Sequence, residues 1–271
     1  SAAEREDNYE SMVPYIVMAR KQIKEPMLDT TLIYAYAKSG KHGDLEEFIS
    51  APNVANIQSI GERCYDEAMY AAAKLLFASI NNNAKLAVCY VHLEQYREAV
   101  DAATKANAVS TWKEVNRACV HAGEFRLAAI AGLHIIVHPD HLEELTHLYE
   151  SEGHPQELVQ LMEQGLGLEG AHSGIFTELG CLYSKYLPAK LMEHIKIFWS
   201  RMNVPKLLRA CEAARLWDEA VYLYKEDDQY DSAIKTMMEH STAFQHDLFL
   251  DCAQKVRNSE LYYKAIAFYL E

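Results

Sequence analysis

Glycine and proline are scarce in this chain, whose 271 residues include 11 glycines and 7 prolines. Tight turns depend on these two residues, and an all-β fold needs many such turns. Their scarcity therefore argues against an all-β fold. Half of the residues are apolar, which is ample for a hydrophobic core, and the length allows one or two ordinary domains or one repeat array.

Basic residues are also in short supply, with 26 lysines and arginines against 39 aspartates and glutamates and a formal net charge of −13. A protein that binds nucleic acid over its whole surface neutralises phosphates with lysine and arginine. The charge therefore argues against nucleic acid as a general partner. No apolar run approaches the roughly 18–20 residues that span a bilayer, so direct membrane insertion is not expected either.

Closely spaced cysteines are absent, and no Cys-x-x-Cys pair occurs. More than twenty residues separate each cysteine from the next, at Cys64, Cys89, Cys119, Cys181, Cys211 and Cys252. This spacing does not fit a disulfide scaffold or a cysteine-based zinc site. The cysteines stand among alanines and leucines, so we expect small buried hydrophobic residues in a reducing, cytoplasmic setting.

Sequence motifs of catalysis and cofactor binding are either absent or stand in surroundings that do not fit their function. Residues 165–170 match the letters of the dinucleotide fingerprint, but they follow a helical pattern and not a strand. The histidines from His134 to His147 surround Pro139 and lack a His-Glu-x-x-His motif, which favours loop and cap positions over a zinc site. Gly-x-Ser-x-Gly and the P-loop are absent. We therefore expect no enzymatic activity, no cofactor and no metal.

What the chain does contain is a recurring sequence unit. In each copy a segment with helical apolar spacing ends in a short polar stretch, and an aromatic residue follows, with an alanine three positions after it. The clearest copy places Tyr96 before Ala99. Other copies are Tyr70 with Ala73, Phe125 with Ala128, Trp217 with Ala220 and Tyr230 with Ala233. The unit indicates a helix hairpin. The aromatic ring covers the end of the first helix, as a hydrophobic staple does, and the small alanine lets two backbones approach.

The spacing of this unit predicts the fold. The positions taken as equivalent recur about every 30 residues, at His42, Tyr70, Tyr96, Phe125, His154, Tyr186 and Trp217. An all-helical repeat of this length is typical of an α-solenoid, in which each hairpin buries its apolar face against its neighbours. The sequence therefore predicts an all-α fold. It consists of one continuous α-solenoid of stacked antiparallel helix hairpins over residues 12–271, after a frayed polar lead-in over 1–11.

Two details refine that prediction. The register slips by one short helix after Trp217, where Tyr230 follows, and the chain stops within an apolar-periodic run, so we interpret it as a piece of a longer protein. Capping patterns predict helix starts at Ser59 and Thr111, which have the capping-box spacing to a glutamate, and at Asn203, just before a proline.

Two basic-aromatic stretches are candidates for a partner-binding face. They contain Trp112, Lys113 and Arg117 in one case and Arg201, Lys206 and Arg209 in the other. One interpretation places the aromatic rings in the core and the cations on a solvated face, with their stems lying along apolar surface. In the other, tryptophan and arginine anchor a partner. In so acidic a chain, such a strip would suit an acidic amphipathic helix.

Several stretches resemble the leg of the clathrin heavy-chain family. They are Tyr65–Leu76, Thr111–Val115, Glu124–Ala128, Gly132–Ile135, Phe198–Lys206 and Glu260–Glu271. The similarity runs through nearly the whole chain in one register, and we place it in the proximal leg. It implies a helical-hairpin solenoid in a structural coat protein at the cytoplasmic face of coated pits and vesicles. The partners it implies are other heavy-chain legs and a light chain laid along the solenoid as a long helix. The alternative is a solenoid scaffold of a vesicle tethering or sorting complex.

Overall fold

Helices form the regular structure of residues 9–270, the part of the chain described by the structure, which is a computed structural model. Within these residues there is no strand, so the predicted all-helical fold is confirmed. The helices of the amino-terminal half are α1 (Tyr9–Gln22), α2 (Pro26–Lys38), α3 (His42–Ser50), α4 (Ile57–Asp66), α5 (Tyr70–Ser79), α6 (Asn83–His92), α7 (Tyr96–Ala106), α8 (Val109–His121) and α9 (Phe125–Ile136). Those of the carboxy-terminal half are α10 (Pro139–Ser151), α11 (Pro155–Gly165), α12 (Ser173–Tyr186), α13 (Pro188–Phe198), α14 (Val204–Ala213), α15 (Trp217–Glu226), α16 (Tyr230–Glu239), α17 (His246–Ala253) and α18 (Ser259–Leu270), with short 3₁₀ helices at Trp199–Arg201 and Ser241–Ala243.

Many of the short turns between consecutive helices share one backbone geometry. Between α6 and α7, Glu94 has a φ of +56°, and its N–H donates to the carbonyl of Val91. The next N–H, of Gln95, reaches back to the carbonyl of Tyr90 at 2.9 Å. This Schellman arrangement satisfies carbonyls left open at a helix end and reverses the chain. The same left-handed step occurs before α3, α5, α9, α11, α15 and α16, at Gly40, Ala68, Gly123, Gly153, Arg215 and Asp228.

The left-handed turns lead to a stability prediction at Glu94. A side chain in this conformation costs roughly 1 kcal/mol, which glycine avoids. We therefore expect Glu94→Gly to raise the free energy of unfolding by about 0.5–1 kcal/mol, measured by urea denaturation. The matched control is Glu98→Gly inside α7, where glycine should lower the same quantity by about 1 kcal/mol. Destabilisation by both changes would contradict the strain at Glu94.

The helices pack as stacked hairpins, which confirms the predicted solenoid class. Within each unit, even-numbered helices contact a neighbouring even-numbered helix: α2 contacts α4 and α6 contacts α8 in the first unit, and α10 contacts α12 and α12 contacts α14 in the second. Two pairs of odd-numbered helices contact each other in the same way, α3 with α5 in the first unit and α13 with α15 in the second. The odd-numbered helices from α3 to α15 begin 26 to 33 residues apart, which confirms a repeat near 30 residues.

The packing divides the chain into two compact units, one ending at His134 and the other beginning at Ile135. Each unit has its own buried side chains, among them Phe77 and Val115 in the first and Phe176 in the second. The division falls in the last turn of α9. A single continuous array over 12–271 stays a prediction.

The first helix begins earlier than the apolar pattern indicated. α1 starts at Tyr9, within the predicted lead-in, and residues 1–8 of that lead-in lie outside the described residues. The Tyr9 ring is buried and packs edge-on against Tyr34, with the ring centroids 5.4 Å apart. Tertiary packing therefore stabilises the first turn of α1, although the polar sequence of this stretch predicts a frayed segment.

Two of the three predicted helix starts are wrong. Ser59 lies inside α4, because the side chain of Asn56 caps that helix by accepting the Ser59 N–H at 3.1 Å. Thr111 lies inside α8, which begins at Val109 without a side-chain cap. The third start is confirmed, since the Asn203 side chain accepts the N–H of Lys206 at 3.0 Å.

Two of the positions predicted to be equivalent in the repeat, His154 and Tyr186, do not begin a helix. His154 precedes α11 as its N-cap, and Tyr186 is the last residue of α12. The residues that begin the corresponding helices are Pro155 and Pro188, because proline suits the first helical position and takes the place of the aromatic residue. The slip at Tyr230 has a simple basis: it begins α16, the helix directly after the one that Trp217 begins.

Candidate partner-binding surface

The aromatic-alanine pairs lie where neighbouring helices meet. The alanines are fully buried, namely Ala73, Ala99, Ala128, Ala220 and Ala233. The aromatic residues are partly buried and begin α5, α7, α9, α15 and α16, at Tyr70, Tyr96, Phe125, Trp217 and Tyr230. The Tyr70 ring also contacts Tyr65 in the last turn of the preceding helix, with the centroids 5.4 Å apart. These positions support the proposal that the pairs hold the hairpins together.

Three aromatic-histidine stacks recur in the units, and sequence reasoning missed them. Each joins an aromatic residue near the start of one helix to a histidine at the end of the next, with the rings within about 6° of parallel. The pairs and centroid distances are Tyr70 with His92 (4.1 Å), Trp112 with His134 (4.2 Å) and Trp217 with His240 (3.7 Å). The signal available in the sequence is a histidine 22 or 23 residues after an aromatic residue.

Trp112 must be removed from the predicted partner face. Its side chain is only 2% exposed, and its ring is stacked on His134. The indole N–H has no hydrogen-bond partner within residues 9–270, so the whole side chain acts as an apolar group. A ring buried between α8 and α9 has no surface to offer a partner, because packing within the first unit already covers it.

The neighbouring cations of the first unit remain accessible on α8. Arg117 is exposed, with a guanidinium nitrogen 3.9 Å from the Glu114 carboxylate, and Lys113 is partly exposed. Beside Glu114 lies a groove of about 430 Å³ that crosses three successive even-numbered helices. Its lining residues are Tyr65, Ala84, Lys85, Val88, Ser110, Thr111 and Glu114. This surface combines small apolar residues with charges of both signs, as an amphipathic partner requires.

The cations of the second unit are partly engaged in its own packing. The Arg201 guanidinium lies 3.9 Å from the centroid of the Phe176 ring, a cation–π contact that fixes it. Lys206 pairs with Glu178, and Arg209 is exposed on α14. The two sets of predicted cations therefore belong to different units.

Other cations are committed to packing through shared carboxylates. Glu67 accepts hydrogen bonds from Lys38, from the Tyr34 hydroxyl at 2.7 Å and from Arg63 at 3.0 Å. The hydrogen bond from Lys38 is the main cause that lowers the pKa of Glu67 to about 2, with the bonds from Tyr34 and Arg63 adding to it. This carboxylate therefore stays charged at neutral pH and ties α2 to the end of α4.

The glycine-rich segment, His138 and Cys64 lie at helix ends or in the core. Residues 165–170 end α11 and lead into α12, and His138 is the N-cap residue of α10. Burial raises the pKa of the Cys64 thiol to about 12, so it is a protonated packing group and not a nucleophile. In the part of the chain that the structure describes, no group of three or more His, Cys, Asp or Glu side chains could hold a metal ion.

Comparison with known proteins identifies the family. A family model for the region shared by clathrin and VPS proteins matches residues 1–127 and 133–271. The chain belongs to the clathrin heavy-chain family. It is 55% identical over 271 residues to clathrin heavy chain 1 of Arabidopsis thaliana, 52% over 270 residues to the clathrin heavy chain of Drosophila melanogaster and 50% over 271 residues to clathrin heavy chain 2 of Homo sapiens.

The resemblance to the clathrin heavy-chain family is thereby confirmed, and its extent is clear. The alignments cover 99–100% of this chain but only 16% of the length of each of these heavy chains. The place in the proximal leg stays a prediction. Across residues 9–270, every helix is too short or too polar to cross a membrane.

Proposed function

We propose that this chain is a structural segment of a clathrin-type coat. It would form part of the leg of a three-legged heavy-chain assembly, at the cytoplasmic face of coated pits and vesicles during vesicle formation. The observation that supports this proposal most is the 50–55% identity to clathrin heavy chains over the whole chain. Its role is mechanical and not enzymatic.

The hairpin stack provides a physical basis for that role. In a solenoid each repeat contacts only its neighbours, so small rotations at many interfaces can bend the array without unfolding it. Legs that meet through weak lateral contacts, repeated over many copies, gain strength from their number and can still be separated. We propose that this segment packs in this way against other heavy-chain legs.

We propose a clathrin light chain as the second partner, bound as a long helix along the solenoid. The cations proposed to receive its acidic face are Lys113 and Arg117 in the first unit and Arg201, Lys206 and Arg209 in the second. They stand out on a chain of net charge −13. Charge complementarity of this kind favours encounter and orientation more than raw affinity. The groove that includes Val88 and Glu114 offers apolar contact next to Arg117.

The alternative is a solenoid scaffold of a vesicle tethering or sorting complex. The matched family model includes VPS proteins as well as clathrin, and this is the observation that supports the scaffold alternative. The relatives favour the coat segment, because the plant, insect and human proteins that align over 99–100% of this chain are all named clathrin heavy chains.

Calorimetric titration with the heavy-chain-binding helix of a light chain tests the partner proposal. We expect binding at micromolar concentrations that weakens as salt rises. Reversing two cations together, Lys113→Glu with Arg117→Glu, should lower the affinity about tenfold, since losses of 1.4 kcal/mol correspond to one decade. The control is Lys105→Glu on the exposed side of α7, which should bind normally. Absence of binding at micromolar concentrations would overturn the light-chain proposal and leave the fold and family intact.

A further inference from the structure

A buried histidine lies at the centre of the helix packing in the second unit. His194, on α13, is only 5% exposed. Its Nε2 lies 2.9 Å from the carbonyl oxygen of Phe176 on α12. Because a carbonyl oxygen only accepts, Nε2 must carry a proton and donate it. The hydrogen bond therefore fixes the neutral tautomer and leaves Nδ1 without a proton.

Aromatic rings enclose this imidazole. Tyr183 of α12 meets it edge-on, with the ring centroids 5.3 Å apart, and Phe198 lies against it at 5.2 Å. α12 approaches closely at Gly180, where an added Cβ would stand 2.9 Å from Leu207 and 3.7 Å from the His194 ring. The site is thus tightly packed on the side of α12, with little room for water to solvate a charged ring.

The charges around the ring do little to offset this burial. The carboxylate of Glu163 on α11 acts electrostatically on His194 and favours its charged form. That carboxylate already accepts a hydrogen bond from the Tyr183 hydroxyl at 2.7 Å and pairs with Lys190 of α13 at 2.8 Å. A new positive charge on His194 would therefore depend on a carboxylate that is already engaged by two other groups.

We propose that His194 is a proton-sensitive lock of the second unit, whose protonation weakens the packing of α13 against α12. The neutral ring holds the two helices together through the Phe176 carbonyl and the aromatic contacts. A proton added at Nδ1 places an uncompensated charge inside this packing, so the helices loosen to let water reach it. This goes beyond the coat role, because it concerns the response of the segment to acid and not its partners.

The direction of the pH effect follows from the ring's surroundings. Burial is the main cause that lowers the pKa of His194 below its ordinary value near 6.5, and the bond to Phe176 and the charge of Glu163 oppose it only in part. Well above pH 6.5 both the folded and the unfolded chain keep this histidine neutral. As the pH falls below 6.5 the unfolded chain takes up the proton first, so the free energy of unfolding decreases.

Thermal unfolding of the 271-residue chain at pH 7.5 and pH 5.5 tests the proposal. His194→Gln keeps an N–H that can donate to Phe176 but does not titrate, and His147→Gln changes an exposed histidine of the same unit. We expect the wild type and His147→Gln to lose about 2–4 °C more in their midpoint on acidification than His194→Gln. That difference corresponds to roughly a fivefold change in the unfolding equilibrium. An equal loss in all three proteins would overturn the proposal.

A second measurement holds even if the glutamine variant does not fold. The imidazole of His194 in the wild type can be titrated by NMR while amide exchange is followed in α12 and α13. We expect the ring to take up its proton at a pH below 6.5, and the amides of these helices to lose protection as it does so, relative to those of the first unit. A ring that takes its proton near pH 6.5, or protection that stays unchanged to pH 5, would overturn the proposal.

Discussion

Replacement of Trp112 by alanine is expected to lower the free energy of unfolding by about 3–5 kcal/mol, the cost of truncating a large aromatic side chain in a core. The ring is 2% exposed, so the change leaves a cavity between α8 and α9 and removes the stack on His134. Urea denaturation followed by circular dichroism measures the loss.

Trp112→Phe is the matched control for that variant. It keeps an aromatic ring against His134, and the indole N–H that it removes has no hydrogen-bond partner among the described residues. We therefore expect phenylalanine to cost only about 1–2 kcal/mol, mostly through lost volume. If the alanine variant proved as stable as the phenylalanine variant, Trp112 would have to be a surface residue, as in one of the two interpretations of the sequence.

Replacement of Ala99 by leucine is expected to lower the free energy of unfolding by about 1–3 kcal/mol through overpacking. Ala99 is fully buried in α7, which packs closely on α6. Leucine adds three carbons where two backbones meet, so the helices must separate or the side chain must leave its preferred rotamer. Thermal unfolding monitored at 222 nm measures the effect.

The control for Ala99→Leu is Arg97→Leu, two residues earlier on the exposed side of the same helix. Leucine is a good helix former, so this change should alter stability by no more than about 0.5 kcal/mol. An unchanged midpoint for Ala99→Leu would mean that the alanine of this unit does not separate the two helices, and the packing proposal would fail at its clearest copy.

The hairpins could be predicted from the sequence because their signals are local. Tyr96 and Ala99 are three residues apart, and that spacing follows from one turn of helix. Where two nearby residues could both begin a helix, the predicted start was off by a few residues. Asn56 caps α4 ahead of Ser59, and Pro155 takes the first helical position beside His154. Two side chains within a few residues can fill the same role, and the pattern alone does not rank them.

The surroundings of single side chains could not be predicted in this way. Trp112 stands beside Lys113, so its neighbours in sequence left both a core ring and a partner-binding ring open, and its burial depends on a contact with His134 more than twenty residues away. His194 is similar, since Phe176 supplies its hydrogen bond and Tyr183 its aromatic contact from another helix. Such contacts depend on how helices stack, which local periodicity does not specify.

Chemical cross-linking of the chain to a light-chain helix, read out by mass spectrometry, tests most directly whether this segment carries a light chain. The lysines of the proposed faces make the outcome specific. We predict cross-links from Lys113 in the first unit and Lys206 in the second, which diminish when salt is raised. Cross-links confined to lysines outside these faces, such as Lys74 and Lys105 on the odd-numbered helices, or no cross-linked complex at all, would contradict the proposed mode of binding.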